Sequence, residues 1–308
     1  MTTREAPPAT AGPTLAERAT DLGYAAGWRL VRAVPEPLAR TAFARGADLA
    51  ARRGGPGTRR LRANLARVRP DLDADALDAL TAAGLRSYAR YWREAFRLPG
   101  MDHDALYRRI DPHVEGKEHF EALRAQGRPI VIALTHSGNW DVAGLWLVAR
   151  TGRFTTVAER LKPESLYERF VSYRESLGFE ILPMTGGESP VRGLIRALRA
   201  NRVVCLLADR DLSAHGVPVT FFGAPTSMPP GPATLAAATG AALMPVACWF
   251  TDDGAGEGWG FRIHPPIEVP DRSAVGAATQ AVADAFAGDI AEHPADWHML
   301  QRLWPDQH

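Results

Sequence analysis

The stretch PIVIALTHSGNWDVAG, residues 129–144, decides the fold prediction because it changes from apolar to polar within a few positions. Its first six residues are apolar and rich in β-branched side chains, which is typical of a buried strand. The Ser-Gly-Asn that follows is a turn signal that can also cap a helix. We therefore predict a strand that ends at Leu134, a turn over 136–138 and a helix that begins near Trp140.

The same alternation of strand and helix continues downstream. Strand and helix in alternation predict an α/β fold, with a mostly parallel central sheet flanked by helices on both faces. The first 100 residues instead have apolar residues three and four positions apart, which predicts a helical N-terminal region. We predict a flexible tail over 1–13, a basic helical region that associates with membrane over 14–110, and an α/β core over 111–308 that forms one compact domain with the helical region. The further apolar runs lie at 154–159, 179–184, 203–209 and 242–250, and the helical patterns lie near 140–150, 163–177, 188–200 and 230–239.

Composition places the chain among ordinary folded proteins, since 46% of its 308 residues are hydrophobic and 23% are charged. Cys205 and Cys248 both lie in strand-like apolar runs, so we expect two buried thiols and no disulfide or zinc site. No run of about 18 apolar residues is present, and the first dozen residues lack the order of a secretory signal. We expect a protein of the cytoplasm with no transmembrane span.

Charge is unevenly distributed along the chain. Residues 1–70 contain 13 Arg and 5 acidic residues, whereas the rest contains 23 basic and 30 acidic residues. A basic arm suits an anionic partner, either nucleic acid or the phosphate layer of a membrane. The sequence has neither base-stacking aromatic motifs nor a DNA-reading helix, so we predict an anionic membrane surface and no nucleic acid as partner.

Residues 14–34 have the spacing of an amphipathic helix, with Tyr24, Trp28 and Val31 on one face. A basic helix with an aromatic stripe can lie among lipid headgroups, where each basic residue contributes about 1 kcal/mol near anionic lipid. The same periodicity fits a helix that packs on the core and keeps its arginines in solvent. The sequence leaves these two interpretations open.

Polar residues follow several of the predicted strands. In a largely parallel sheet, ligands bind at the carboxyl ends of the strands, where loops and helix N-termini converge. The candidates for a functional site are therefore Thr135, His136 and Asp141 after the first strand, Glu159 and Arg160 after the second, and Asp209, Arg210 and Asp211 after a later one.

His136 and Asp141 are candidates for a catalytic pair. On one continuous helix they would lie about 140° apart, so they can meet only if His136 lies in the turn. A carboxylate on one imidazole nitrogen leaves the other free to accept a proton, which is the arrangement of a general base with its orienting acid. The helix start beside them favours an anion or oxyanion. A lone His-Asp pair also fits a structural or capping role, and no Gly-x-Ser-x-Gly elbow indicates a serine nucleophile.

Several stretches together resemble the lysophospholipid-acyltransferase-like family, which includes bacterial lipid A acyltransferases and, as the most similar branch, the phosphatidylinositol mannoside acyltransferases of actinobacteria. HSGNWD at 136–141 is similar to the family's His-x-x-x-x-Asp motif. RFVSYRESLGFEILPM resembles its helix that ends with an arginine before a Leu-Gly turn, here Arg174. The segment from LLADRD to ALMPV and the terminal HPADWHMLQRLWP are also similar, so the resemblance covers roughly 115–305.

The resemblance implies a fold like that of glycerol-3-phosphate acyltransferase and acyl transfer from acyl-CoA, with palmitoyl-CoA as the expected donor. The implied acceptor is a mannose hydroxyl of a phosphatidylinositol mannoside. His136 would be the general base and Asp141 would orient it, while Arg174 or Arg210 would contact the oxyanion or the donor. No cofactor or metal is implied, and the protein would lie on the cytoplasmic face of the cell membrane as a peripheral protein.

Other candidate residues have two interpretations each. Asp209 and Asp211 either bind the acceptor or support the histidine, or they are strand-end residues paired with the arginine between them. Phe221 and Phe222 either pack a hairpin or, together with Trp140, form a wall of the cleft or acyl site.

Two alternatives to this function stay open at the level of the sequence. The acceptor could instead be a lysophospholipid or a lipid A-like sugar. The chain could also be a catalytically silent lipid-binding protein that keeps the fold. The His-Asp pair and the acidic strand end favour an enzyme, because a protein without activity could lose them without loss of folding.

Overall fold

The computed structural model describes residues 27–158, 164–184, 189–211, 215–252 and 256–305. Within these residues, seven strands form one sheet and two more form a separate hairpin. The strands are β1 (Val114–Glu115), β2 (Ile130–Leu134), β3 (Phe154–Ala158), β4 (Phe179–Pro183), β5 (Val204–Leu207), β6 (Val217–Phe221), β7 (Ala224–Met228), β8 (Ala242–Asp252) and β9 (Glu257–Ile263).

Helix α1 is described from residue 27 to residue 33. The other helices are α2 (Glu36–Arg53), α3 (Pro56–Val68), α4 (Ala74–Arg97), α5 (His103–Ile110), α6 (Lys117–Ala125), α7 (Trp140–Thr151), α8 (Glu164–Ser176), α9 (Pro190–Arg199), α10 (Gly231–Thr239) and α11 (Val275–Glu292). Short 3₁₀ turns cover Leu98–Gly100, Asp111–His113, Arg272–Ala274 and Pro294–Asp296.

The large sheet has the strand order β1-β9-β8-β2-β5-β3-β4. Neighbouring strands run parallel except for β8 and β9, which pair in antiparallel fashion. Helices α7, α8 and α9 connect β2, β3, β4 and β5 in sequence, as parallel pairing requires. The predicted α/β class with a mostly parallel sheet is confirmed.

Hydrophobic cores lie on both faces of the sheet, and the alternation of side chains along β2 explains why. Ile130 and Ile132 belong to the core that contains residues of α7 and α8, whereas Val131 and Ala133 belong to the core that contains residues of α9, α10 and α11. Successive side chains of a strand point to opposite faces, so a strand that is apolar throughout must be covered on both sides.

The N-terminal region is helical, as predicted, and packs against the α/β part. Trp28 donates from Nε1 to the Phe96 oxygen at 3.1 Å, and its ring lies 5.0 Å from that of Phe96. For this residue the packed interpretation holds. The predicted tail and Tyr24 lie outside the described residues, and the proposed division at 110 stays a prediction. No helix in the described part of the chain is long and apolar enough to cross a bilayer.

Two local features differ from or sharpen the sequence predictions. The apolar residues around Trp297 and Trp304 predict a late helix, but Trp297 follows a 3₁₀ turn and Trp304 lies in the irregular segment after it, because helix α11 ends at Glu292. The hairpin β6-β7 turns at Phe222 and Gly223, whose φ angles are 48° and 71°. Two successive positive φ values suit the right-handed twist of a two-residue hairpin.

Candidate active site

The site forms where the connections from two neighbouring strands leave on opposite faces of the sheet. Strand β2 continues into α7 on one face, whereas β5 leads through the hairpin to α10 on the other. Such a switch point opens a crevice at the carboxyl ends of the strands. Leu134 and Leu207, the last residues of β2 and β5, lie opposite each other in the register. The residues two positions further along, His136 and Asp209, therefore face each other across this crevice.

Asp209 holds the imidazole of His136 with both carboxylate oxygens occupied. His136 Nδ1 lies 2.6 Å from Asp209 Oδ1, and the His136 backbone N–H donates to Oδ2 at 2.9 Å. Trp297 Nε1 also donates to Oδ2, at 3.0 Å. The Asp209 side chain is completely buried, whereas a quarter of the His136 side chain is exposed. Nδ1 is thus engaged inside the protein and Nε2 is the nitrogen left for a substrate.

The buried carboxyl of Asp209 keeps its negative charge. Burial by itself raises the pKa of this carboxyl, but the attraction of His136 and the hydrogen bonds from His136 and Trp297 outweigh burial and hold the pKa below its ordinary value. An ionised acid beside an imidazole stabilises the imidazolium that forms when the ring accepts a proton.

The turn that carries His136 is fixed by the C-terminal segment. Gly138 N donates to the Asp296 oxygen at 2.9 Å, and His298 N donates to the His136 oxygen at 2.8 Å. Gly138 has a φ of 54°, and a Cβ at this position would lie 2.7 Å from the Cys248 carbonyl carbon. The turn therefore requires glycine, both for its conformation and for close approach to β8.

Helix α7 begins directly after this turn, with Asn139 as its N-cap. Asn139 Oδ1 accepts from Val142 N at 3.1 Å, while its Nδ2 donates to Glu94 Oε2 at 2.7 Å. Glu94 lies on α4 and also accepts from Trp259 Nε1 at 2.8 Å. The cap thus ties α7 to α4 and β9. It leaves the first N–H groups of α7 near the crevice, where they favour negative charge.

Asp141 contacts a different partner from the one predicted. Its Oδ1 accepts from Arg174 Nε at 2.9 Å, and its Oδ2 accepts from the Tyr91 hydroxyl at 3.2 Å. The predicted contact between Asp141 and the imidazole is wrong, since Nδ1 of His136 contacts Asp209. As the second residue of α7, Asp141 lies against α4 and α8, whereas Nδ1 of His136 lies toward β5.

The ion pair of Asp141 and Arg174 is largely withdrawn from solvent, with 2% and 19% of the two side chains exposed. Burial lowers the pKa of Arg174, but the attraction of Asp141 outweighs it, so the net pKa lies above the ordinary value. Burial also raises the pKa of Tyr91 well above its usual range. Arg174 and Tyr91 therefore stay protonated throughout the physiological range, and together with Asp141 they form a fixed cluster.

The arginine and acid that follow Asp209 lie at the same strand end. Burial raises the pKa of Tyr88 on α4, and a hydrogen bond with Trp92 and the positive charge of Arg210 partly oppose this rise. Asp211 Oδ2 accepts from Gly216 N at 2.8 Å, so one of its oxygens is engaged within the protein. Glu159 and Arg160 lie outside the described residues.

The aromatic candidates separate into two groups. Trp140 stacks on Tyr91 at 3.9 Å and lies 5.7 Å from the His136 ring. Phe221 instead is buried in the opposite core, where it stacks on Trp304 at 5.9 Å. Phe222 lies in the hairpin turn, 6.3 Å from the Trp297 ring. The packing interpretation therefore holds for both residues and the role as a cleft wall does not, because Phe221 is buried in this core and the half-buried Phe222 packs against it.

A narrow apolar cavity begins beside Trp140 and extends between α7 and the sheet. Apolar side chains, both aliphatic and aromatic, form its walls, and its volume of about 40 Å³ leaves room for only a few water-sized groups. Its lining residues include Ile132, Leu134, Ala143, Gly144, Leu147, Phe154 and Val246.

Three further groups, which the sequence does not connect with the site, complete it. The apolar stretch around Trp297 predicts only a packing residue, yet its Nε1 donates to Asp209. Tyr91 holds Asp141, and His298 lies fully buried with Nε2 at 2.8 Å from Ser87 Oγ. Burial, reinforced by the positive charge of His136, lowers the pKa of His298 to about 3. These residues lie on α4 or near the C-terminus, and no local pattern connects them to the His136 turn.

Comparison with known proteins identifies the family of this chain. The family model for bacterial lipid A biosynthesis acyltransferase matches residues 14–306. The protein named phosphatidylinositol mannoside acyltransferase from Mycobacterium tuberculosis (strain CDC 1551 / Oshkosh) is 58% identical over 287 residues, covering 93% of this chain and 89% of that protein. The protein of the same name from Mycolicibacterium smegmatis (strain ATCC 700084 / mc(2)155) is 58% identical over 291 residues, covering 94% of this chain and 93% of its own length. The chain therefore belongs to the bacterial lipid A biosynthesis acyltransferase family and is an acyltransferase.

Proposed function

We propose that this chain transfers an acyl group from acyl-CoA, with palmitoyl-CoA as the preferred donor, to a mannose hydroxyl of a phosphatidylinositol mannoside. The observation that carries the proposal is the contact of His136 with the buried Asp209 at the carboxyl ends of β2 and β5. The acceptor class comes from the two relatives that bear this name and match nearly their whole length.

In the proposed reaction, His136 Nε2 accepts the proton of the acceptor hydroxyl as its oxygen attacks the thioester carbonyl. A C–O bond forms, the C–S bond then breaks, and the proton on the imidazolium leaves with the CoA sulfur. Asp209 keeps Nδ1 protonated and stabilises the imidazolium. General-base assistance of this kind contributes about 100- to 10,000-fold in rate.

The developing oxyanion needs donors on the other side of the reacting carbonyl. The N-terminus of α7, capped by Asn139, presents N–H groups and positive potential at this place. Arg174 and Arg210 are the candidate cations. Asp141 holds Arg174 through Nε, so in the proposal it orients the guanidinium. Asp211, at the same strand end as Arg210, is proposed to contact the acceptor sugar.

The apolar cavity beside Trp140, about 40 Å³ in volume, is the proposed starting point of the acyl site, and a whole acyl chain requires α7 and the sheet to move apart. Burial of hydrocarbon in such a cavity is favourable by roughly 0.8 kcal/mol per methylene group. Trp140 lies between the cavity and the His136 ring, so a chain inside the cavity would place its thioester at the histidine.

We further propose that the protein works as a peripheral protein on an anionic membrane, at its cytoplasmic face. Leu30 and Leu38 at the start of the helical region are 64% and 62% exposed. Arg29, Arg40 and Arg45 in the same region are also exposed. Exposed apolar side chains among arginines suit a headgroup layer, where both kinds of group gain free energy.

The direct test uses the full-length chain with palmitoyl-CoA and defined mannosides in mixed micelles, and the product is identified by mass spectrometry. We expect a mannoside that is heavier by one palmitoyl group and an equal amount of free CoA. A lysophospholipid and a lipid A-like sugar are offered in competition. Preferred acylation of either compound would show that it, and not the mannoside, is the acceptor. Absence of CoA release with every acceptor would indicate a catalytically silent lipid-binding protein.

A further inference from the structure

A second polar cleft lies at the amino edge of the sheet, the edge opposite to His136. Arg124 on α6, Arg153 just before β3 and Arg202 just before β5 line this cleft together with Asn201, and its volume is about 410 Å³. This volume lies within the range of small-molecule sites in proteins.

Two of the three arginines are held in place. Arg124 Nη1 donates to the Asn201 backbone oxygen at 2.9 Å and to its Oδ1 at 3.3 Å. Asn201 has a φ of 55°, a conformation that asparagine tolerates better than most residues. Arg202 Nη1 donates to Glu180 Oε2. The guanidinium groups are thereby ordered before any ligand arrives, which lowers the entropy cost of binding.

The cleft contains more arginines than carboxylates, whereas the arginine nearby at the same edge of the sheet is neutralised. At the same edge of the sheet, Arg128 forms two bonds with Glu268, both at 2.9 Å. In the part of the chain that the structure describes, Glu180 is the carboxylate that pairs with an arginine of the cleft, and Arg153 is exposed. Three guanidinium groups against one carboxylate leave a net charge near two.

We propose that this cleft binds a phosphate-bearing anion, either a free phosphate ester or diphosphate, or the phosphate of a lipid headgroup. Guanidinium groups match phosphate in geometry, because their N–H groups can donate in parallel to two oxygens. Three arginines that converge on one concave site suit a phosphate better than a carboxylate, since a phosphate offers more oxygens and more charge.

The anion cleft is separate from the catalytic centre and does not depend on the proposed reaction. Strands β2 and β5 begin beside the cleft and end before His136 and Asp209. Five residues of extended chain span about 17 Å. An anion in the cleft would therefore not contact the reacting atoms. It would contact residues that precede β2 and β5, the strands that lead to His136 and Asp209.

The test titrates diphosphate into the full-length chain by calorimetry at low ionic strength. We expect saturable binding that Arg153→Gln and Arg202→Gln each weaken about tenfold. Glu180→Gln should strengthen binding about fivefold, because it removes the opposing charge and keeps the shape of the side chain. Arg272→Gln is the matched control, since Arg272 is exposed and lies away from the cleft, and its binding should equal that of the wild type.

A second experiment with vesicles distinguishes a free phosphate compound from the phosphate of a lipid headgroup. Cosedimentation with phosphatidylinositol vesicles that is weakened by Arg153→Gln, without binding of diphosphate, would assign the cleft to a headgroup. Arg153 is exposed and forms no ion pair in the described residues, so its replacement should not affect folding. Arg153→Gln therefore tests the proposal even if Arg202→Gln fails to fold. Binding that Arg210→Gln removes and Arg153→Gln does not would place the anion at the catalytic centre and overturn the proposal. No binding in either arm would also overturn it.

Discussion

Two buried carboxylates near the same turn, Asp209 and Asp141, have different roles because their partners differ. The strand-end pair joins His136 to Asp209, and the helix-start pair joins Arg174 to Asp141. An imidazole can gain and lose a proton near neutral pH, whereas a guanidinium keeps its charge. The strand-end pair can therefore move a proton, and the helix-start pair supplies fixed charge and fixed geometry. The comparison predicts that changes in the first pair affect the rate and changes in the second affect stability first.

The largest effect is expected from His136→Ala. Without the imidazole, no group in the proposed reaction accepts the hydroxyl proton, so kcat should fall by about 1,000-fold or more. Although the ring is partly exposed, its removal leaves the buried Asp209 carboxylate without its imidazole partner, so the free energy of unfolding should fall by about 1 to 2 kcal/mol. CoA release and urea unfolding measure the two quantities.

His113→Ala is the matched control, because His113 is exposed and lies away from the crevice. It should leave both quantities unchanged. Retention of more than a tenth of the wild-type rate by His136→Ala would end the assignment of this residue as general base.

A somewhat smaller loss of rate is expected from Asp209→Asn. The amide lacks the negative charge that stabilises the imidazolium, and it can donate to Nδ1 and so select the wrong tautomer. We expect kcat to fall by about 100- to 1,000-fold with little change in KM, together with an altered pH dependence of kcat. Asp104→Asn on the surface of α5 is the control. A change in KM alone would show that Asp209 binds substrate and does not act through His136.

Asp141→Asn should lower the stability more than the catalytic rate, the opposite of what is expected for Asp209→Asn. It leaves the Arg174 cation without its partner, and removal of one member of a buried pair costs about 3 kcal/mol or more. One fifth of Arg174 is exposed, so we expect a loss of about 2 kcal/mol in the free energy of unfolding. The rate per folded molecule should fall less than in Asp209→Asn.

Asp75→Asn makes the same exchange in the first turn of α4, at an exposed position, and should be nearly neutral. Equal losses of rate in Asp141→Asn and Asp209→Asn, at unchanged stability, would show that the helix-start pair contributes as much to the rate as the strand-end pair and is not mainly structural.

The smallest effect concerns His298, which lies beside the strand-end pair. Its pKa is about 3 in the folded protein and near 6.5 when unfolded, so the unfolded state binds one more proton between these values. Stability from this residue is therefore present above pH 6.5 and is lost as the pH falls toward 3. From pH 7.5 to 5.5 the loss should be about 1.4 kcal/mol.

Urea unfolding of the wild type and His298→Gln at the two pH values measures this contribution. Between the two pH values, His298→Gln should lose about 1.4 kcal/mol less stability than the wild type. His113→Gln, at an exposed position, should lose as much stability as the wild type. Parallel behaviour of His298→Gln and the wild type would show that His298 titrates normally.

Local patterns predicted much of the fold and some of the site. The apolar run to Leu134, the Ser-Gly-Asn turn and the helix from Trp140 are all present as expected. The position of His136 in a turn at a strand end followed from the change from apolar to polar residues, as did the position of the acidic residues after β5. Periodicity reports local conformation, and these features depend on local conformation alone.

Pairing between distant segments could not be predicted in the same way. The sequence offered Asp141, five residues from His136, and Asp209 only as an alternative. Helix α7 carries the chain past β5 to β3, and only after two further crossovers does β5 return to lie beside β2.

The sequence by itself thus determined a strand-turn-helix with a histidine in the turn, and an acidic end on a later strand. The tertiary structure alone decided that these two meet, and that Asp141 turns to Arg174 and Tyr91. The physical reason is that strand order follows from which helices cover which face of the sheet. That choice depends on the packing of both cores together, and no single segment encodes it.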